Sequence, residues 1–276
     1  MPSDPNTFLT GEVRKDHPQE YQIDASSVRG ISFPHGLNLL DVSTRDNLRI
    51  NVSVEVAPLP TIRVTTWGAS VVHSSSCTWL EVARNDRDFQ HGVFSTVDDH
   101  DHSWRKPKTE TRREVSFEKP FAEPPKIMCW LNKIDADCRH DCRVKTYAEN
   151  ITKTGFTLYV STWADSILYA ACTTWIAYPA NRSNITSGSY HTRDVRPSNE
   201  PQARCECDIL FDRTFQKPPV VLAALNWLEI GYRTSTYRAK TLNTNITTTG
   251  MAWHLDTWGD TTLYSAGASY LAIQDY

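Results

Sequence analysis

The sequence predicts an all-β protein made of three tandem antiparallel sandwiches, each of about six strands, and three observations predict it. The segment Ser161-Thr162-Trp163-Ala164-Asp165-Ser166-Ile167-Leu168-Tyr169 returns as Asp256-Thr257-Trp258-Gly259-Asp260-Thr261-Thr262-Leu263-Tyr264, and in a more divergent form as Thr65-Thr66-Trp67-Gly68-Ala69-Ser70-Val71-Val72-His73. Arg49, Arg143 and Arg238 lie 94 and 95 residues apart, and Trp67, Trp163 and Trp258 lie 96 and 95 apart, so two landmarks give one period. Apolar and polar residues alternate along most segments, while helical periodicity is almost missing.

Each element follows from that alternation. Arg143 to Ala148 and Gly155 to Trp163 are rich in β-branched and aromatic residues and read as antiparallel strands joined by a loop ending at Thr154-Gly155. Thr249-Gly250 repeats that turn in the third copy, whereas the first has Pro58-Leu59-Pro60-Thr61. Pro124-Pro125 leads into a strand from Lys126 to Leu131, and Pro218-Pro219 into its counterpart from Val220 to Leu225. The last strands run from Leu168 to Ala177 and from Leu263 to Ile273. Leu37-Asn38, Leu131-Asn132 and Leu225-Asn226 precede the three arginines. Short antiparallel strands in about ninety residues can bury a core only as two facing sheets. Polar breaks at Arg84 to Asp88 and Pro179 to Asn184 divide the chain into domains over 1–84, 89–179 and 186–276, with links too short for free tumbling.

The formal net charge of −3 gives no reason to expect a nucleic-acid partner, and no long apolar run suggests membrane insertion. Met1-Pro-Ser-Asp-Pro-Asn lacks the basic start and apolar core of a secretory signal, so a cytoplasmic or non-classically secreted protein is expected. The seven cysteines do not match between copies, which argues for reduced thiols over a disulfide framework. The Asn-x-Ser/Thr triplets at Asn51, Asn150, Asn181, Asn184 and Asn245 are then expected to be unmodified.

Arginine, tryptophan and an aromatic six residues further on recur together. A flat ring suits the apolar C–H face of a pyranose, and a guanidinium offers several fixed donors to hydroxyls, so the combination points to carbohydrate. Two well-kept half-sites are expected, Arg143/Trp163/Tyr169 and Arg238/Trp258/Tyr264, with an altered one at Arg49/Trp67/His73. Taken singly, a strand tryptophan is more often core than a ligand platform, and a strand arginine is usually just a solvated face. Trp79, Trp175 and Tyr270, at the next aromatic position, read as core.

The double prolines, Leu225-Asn226, Arg238, Thr249-Gly250, Asp256-Thr257-Trp258 and Leu263-Tyr264-Ser265-Ala266 resemble the H-type lectin family, that of the snail agglutinin and the discoidin C-terminal domain. The resemblance covers the second and third copies almost throughout and the first in outline. It implies six-stranded sandwiches that bind N-acetylgalactosamine or galactose where neighbouring protomers of a trimer meet. It also implies sugar-binding roles for Arg49, Arg143, Arg238, for Trp67, Trp163, Trp258 and for His73, Tyr169, Tyr264, with Asp24 and Glu200 as counterparts of an acidic loop residue. Gly68, Ala164 and Gly259 stand where the agglutinin has a histidine. Three copies of a trimerising fold in one chain imply an intrachain pseudo-trimer, and pairing of two chains into a pseudo-hexamer is a further step the resemblance suggests. The expected partners are glycoconjugates with terminal N-acetylgalactosamine or galactose, with no cofactor and no enzymatic activity.

Three other readings compete. A glycosidase needs two carboxylates flanking the bond, and Asp165 and Asp260 supply one per copy. A metal site is suggested by Asp98-Asp99-His100-Asp101-His102 and Cys138-Arg139-His140-Asp141-Cys142, but neither has paired zinc-ligand spacing and both read as polar loops. The third is a structural or protein-binding scaffold in which the repeated aromatics only hold the sandwiches together.

Overall fold

The computed structural model describes residues 6–23, 31–56, 59–83, 86–99 and 108–274. The first repeat contains β1 (Thr7–Leu9), β2 (Gln19–Gln22), β3 (Ile31–Ser32), β4 (His35–Ser43), β5 (Leu48–Glu55), β6 (Thr61–Thr65), β7 (Val72–Trp79) and β8 (Val82–Ala83). The second contains β9 (Gln90–Ser95), β10 (Glu110–Ser116), β11 (Lys126–Ala136), β12 (Cys142–Glu149), β13 (Gly155–Ser161) and β14 (Leu168–Tyr178). The third contains β15 (Ile185–His191), β16 (Glu206–Leu210), β17 (Val220–Ile230), β18 (Thr236–Thr244), β19 (Gly250–Asp256) and β20 (Leu263–Ile273). All pairings are antiparallel, and β3 with β8 forms a separate two-stranded ribbon.

The six-stranded sheets do not coincide with the repeats. Their orders are β2-β6-β5-β11-β14-β9, β10-β13-β12-β17-β20-β15 and β1-β7-β4-β18-β19-β16, so every sheet takes three strands from each of two repeats. Each repeat is a sandwich of two three-stranded halves, and each half continues into a different neighbour. The seams are the pairings β5 to β11 (Leu48–Asn51 with Lys133–Ala136), β12 to β17 (Cys142–Lys145 with Trp227–Ile230) and β18 to β4 (Thr236–Lys240 with Leu39–Ser43). An edge satisfied this way leaves no row of open backbone donors at the boundary.

The long strands can serve two neighbours because of the repeated Leu-Asn. Register shifts fall between Leu37 and Leu39, Leu131 and Lys133, and Leu225 and Trp227, making Asn38, Asn132 and Asn226 bulge residues. Asn132 Nδ2 donates to Thr174 Oγ1 at 2.8 Å and Asn226 Nδ2 to Ser269 Oγ at 2.7 Å, pinning the bulge to the next strand. Beyond it the strand runs on to the seam, which is why β11 and β17 extend past the Leu131 and Leu225 ends expected from alternation. Gly155 and Gly250 open β13 and β19 where strands approach closely. A Cβ there would lie 2.2 Å from the Val115 carbonyl oxygen and 2.4 Å from that of Ile209.

The main core lies between the facing half-sheets and includes Trp79 and Tyr270, with Trp175 packed against it. A second cluster draws on all three repeats, joining Leu80 and Val82 to Met128, Trp130, Ile176 and Tyr178 and to Ile185, Leu222, Ala224, Leu271 and Ile273. Gly36, Trp130 and Ala224, each just before its repeat's Leu-Asn, converge there. A Cβ on Gly36 would sit 2.5 Å from Trp130 Cβ and 2.7 Å from Ala224 Cβ. One indole fills the space between the repeats, its Nε1 donating to the Ser269 carbonyl at 3.0 Å, and the other two positions are small because it does.

Candidate functional site

Each repeated arginine lies on a seam opposite a carboxylate of another repeat. Arg49 is the register partner of Asp135, Arg143 of Glu229 and Arg238 of Asp41. The Nε to carboxylate distances are 3.4, 3.2 and 3.3 Å. The rest of each guanidinium is held within its own repeat. Arg143 reaches Asp165 at 2.6 Å and Asp141 at 2.5 Å, Arg238 reaches Asp260 at 3.0 Å and donates to Thr236 Oγ1 at 2.8 Å, and Arg49 reaches Asp46 at 2.9 Å. The hydrogen bond from Arg143 holds the Asp165 carboxyl below its ordinary value. The backbone and hydroxyl of Ser235, with smaller help from Arg238, bring Asp260 down to about 2. Burial pushes Asp41 up despite the charge of Arg238.

The tryptophan turns are clipped to the arginine strands. Thr66, Thr162 and Thr257 donate their hydroxyls to the carbonyls of Arg49, Arg143 and Arg238 at 2.6, 2.6 and 2.7 Å. Past the turn, Ser70 and Thr261 donate to the Asn47 and Thr236 carbonyls at 2.6 and 2.5 Å, and Ser166 donates to that of Asp141. The residue after each tryptophan has positive φ, +67° at Gly68 and Gly259 and 56° at Ala164. The threonines and glycines that accompany the tryptophans are thus explained by folding. Trp67, Trp163 and Trp258 stay half-buried at the sheet surface, unlike core Trp79.

The aromatic six residues further on does not join its own tryptophan, which corrects the half-sites expected from spacing. After the turn the chain crosses to the facing sheet, so β13 and β14 lie in different sheets, as do β19 and β20 and β6 and β7. The sheets regroup the residues as Arg49 and Trp67 with Tyr169, Arg143 and Trp163 with Tyr264, and Arg238 and Trp258 with His73. Tyr169 Oη donates to Asp137 at 2.8 Å, a carboxylate also held by Arg139 at 2.6 Å. His73 is exposed.

Residues that spacing does not single out make the three seams chemically different. Against Trp67 stands Lys133, its Nζ 5.1 Å from the ring centre. Against Trp163 stands Trp227, with ring centres 5.1 Å apart and planes at 56°. In the third seam Leu39 occupies the equivalent place, paired with Lys240 as Trp227 is with Lys145. The second seam encloses a cleft of ≈ 430 Å³ lined by Lys145, Trp163, Arg193, Trp227 and Glu110 among others. His191 lies edge-on to Trp227 at 4.8 Å, and burial, then the charge of Arg193, lowers its pKa to about 4.

Glu200 is exposed on the loop after β15, and Asp24 lies outside the described residues. That loop is held by buried Arg196, which donates to the Leu263 and Tyr264 carbonyls at 2.8 and 2.9 Å. Thr10, Thr96 and Thr192 accept from the backbone N–H of Ser75, Ala171 and Ala266. In the suspected metal loop, Asp141 pairs with Arg143, His140 lies 3.4 Å from Asp137, and Cys142 is buried, its thiol pushed up to about 12 by desolvation. No group of three metal-ligating side chains occurs among the described residues, and His100, Asp101 and His102 lie outside them. All seven cysteines are unpaired thiols. Among the described residues no helix is long and apolar enough to cross a membrane.

The tandem antiparallel sandwiches thus present half-buried tryptophans beside arginine–carboxylate clusters at all three seams. Residues 112–178 and 207–273 match the H-type lectin domain. A protein from Fuscovulum blasticum, the ATP synthase subunits region ORF 7, is 32% identical over 75 residues, which is 27% of this chain and 65% of that one. The chain therefore spans just under two thirds of that relative's length. Among solved structures, recombinant discoidin II of Dictyostelium discoideum is 17% identical with a TM-score of 0.30, covering 61% of this chain and 84% of that one. The wild-type discoidin II structure is 18% identical with a TM-score of 0.28, covering 59% and 82%.

Proposed function

We propose that the chain is a multivalent lectin for glycans ending in N-acetylgalactosamine or galactose, with its sites at the three seams. The observation that carries this reading is a half-buried tryptophan beside an ordered arginine–carboxylate cluster in each seam. The indole offers its face to the C–H side of a pyranose. Because the arginines are already committed, their main role is to fix carboxylates such as Asp165 and Asp260 as acceptors for sugar hydroxyls. The pseudo-trimer is the working unit, since several weak sites on one rigid body raise the effective concentration of the later contacts. The activity is binding without hydrolysis. Agglutination of glycosylated cells from a cytoplasmic or non-classically secreted store, in defence, fits such a unit, as does pairing of two chains into a pseudo-hexamer. The test is a glycan array on the full chain and on Trp163→Ala and Trp258→Ala. Weaker galactoside signals in both variants support the reading, and unchanged signals sink it.

The committed arginines also favour a second reading, a structural or protein-binding scaffold. Trp258→Ala separates the two: large destabilisation marks a scaffold, and loss of sugar binding at near-normal stability marks a lectin.

A further inference from the structure

The second seam differs from the other two at one register position of the strand that carries the arginine. Lys145 on β12 and Lys240 on β18 are equivalent residues, two positions after Arg143 and Arg238. Lys240 faces Asp256 in register, with Nζ 3.7 Å from the carboxylate. Lys145 faces Ser161 in the matching register, so its carboxylate partner is replaced by a hydroxyl. In the first repeat the pair is Asn51 opposite Thr65, with no charge at all. Among the described residues no carboxylate forms an ion pair with Lys145. Its ammonium lies instead over two rings, 4.7 Å from the centre of Tyr147 and 5.0 Å from that of Trp227.

The same cleft is lined by a second cation. Arg193 lies 5.1 Å over Trp227 and pairs with Glu229 at 3.3 Å. Trp163 and Trp227 form a tilted aromatic corner in this cleft of ≈ 430 Å³. Glu110 lines the cleft too, exposed and without a salt bridge among the described residues.

We propose that the Trp163/Trp227 cleft binds an acidic saccharide, a pyranoside carrying a carboxylate or a sulfate ester, with the anion at Lys145 and the ring on the indoles. This deepens the lectin reading and rests on it. The third seam pairs its equivalent lysine with Asp256, and the first has Asn51 in that place with Lys133 on the facing strand over Trp67, so neither repeats the arrangement of Lys145 between Tyr147 and Trp227. A charge-assisted hydrogen bond in a partly desolvated cleft contributes roughly a tenfold gain in affinity, and the gain shrinks with added salt.

The experiment titrates the full chain, by calorimetry and tryptophan fluorescence, with methyl galactopyranoside, its uronate and its 6-sulfate. The uronate or the sulfate is expected to bind roughly tenfold more tightly than the neutral glycoside at low salt, and the one that does so identifies the anion. Lys145→Gln is expected to abolish that preference, and Lys240→Gln to leave it intact. Trp227→Leu, the residue of the third seam, is expected to weaken the anionic ligands in a chain whose melting temperature shows it folded. A preference that survives Lys145→Gln overturns the proposal. Neutral binding without any anionic preference also overturns it and leaves the lectin reading standing, whereas failure of all three ligands to bind sinks both.

Discussion

Arg143 and Glu229 face each other as register partners across the seam between the second and third repeats, with Nε 3.2 Å from Oε1. The arginine side chain is 12% exposed and also holds Asp141 and Asp165, so it compensates three carboxylates drawn from two repeats. Removing it leaves those charges facing one another in a partly desolvated seam. Arg143→Ala is therefore expected to lower unfolding stability by about 2–4 kcal/mol, measured by urea denaturation. Glu229→Gln, which keeps the volume and an acceptor, is expected to cost less than half as much. Equal losses for the two would contradict a guanidinium that serves several partners.

The repeats, strands and sandwich class are legible because alternation is a local signal. Leu263 to Ile273 reads as a strand and is one. The second halves of β11 and β17 escape that reading because the bulges at Asn132 and Asn226 shift the phase of the alternation. The site is legible only in part, for a different reason. Arg143 and Trp163 stand out by recurrence, but Glu229 and Trp227 lie in another repeat, and no spacing along the chain marks a pairing across a seam. Spacing also misassigns Tyr169, since nothing in six residues shows that the chain changes sheets between them. Recurrence by itself does not separate folding from binding: Thr162 recurs as a clamp to the Arg143 carbonyl.

The turn after the tryptophans offers a test of backbone strain. Ala164 occupies the left-handed region with φ of 56°, where its counterparts are glycines. An L-residue there costs about 1–2 kcal/mol, partly offset by the greater freedom of glycine in the unfolded chain. Ala164→Gly is expected to stabilise by about 0.5–1 kcal/mol. Gly259→Ala is expected to destabilise by about 1–2 kcal/mol, because its Cβ would also come within 2.5 Å of Arg238 Nη1. Thermal or urea unfolding of both variants checks the signs, which must be opposite.

The meeting point of the three repeats predicts a compensating pair. Trp130→Ala empties a fully buried site and is expected to cost about 3–5 kcal/mol. Gly36→Leu is expected to be at least as damaging in the wild type. Its Cβ would lie 2.5 Å from Trp130 Cβ, a contact that Trp130→Ala keeps, and 3.1 Å from Trp130 Cγ, where the rest of the leucine meets the indole that Trp130→Ala removes. Combined, the two substitutions are expected to cost at least about 1 kcal/mol less than their sum. Strict additivity in a double-mutant cycle would show that the two positions do not compete for one space.

His191 predicts a pH dependence whose sign follows from its surroundings. Burial and the charges of Arg193 and Arg196 disfavour its proton, with Asp194 and Glu229 opposing them, and the folded pKa falls from 6.5 to about 4. Its Nδ1 accepts the Arg193 backbone N–H at 3.0 Å, a bond that requires that nitrogen unprotonated. Between these values the unfolded chain binds the proton more readily than the folded one. Stability from this group is thus complete above about pH 6.5 and declines as pH falls toward 4, below which it no longer changes. Melting temperatures taken from pH 8 to pH 4 are expected to drop over that window in the wild type and to drop less in His191→Gln. Matching pH profiles for the two proteins would place the acid sensitivity elsewhere.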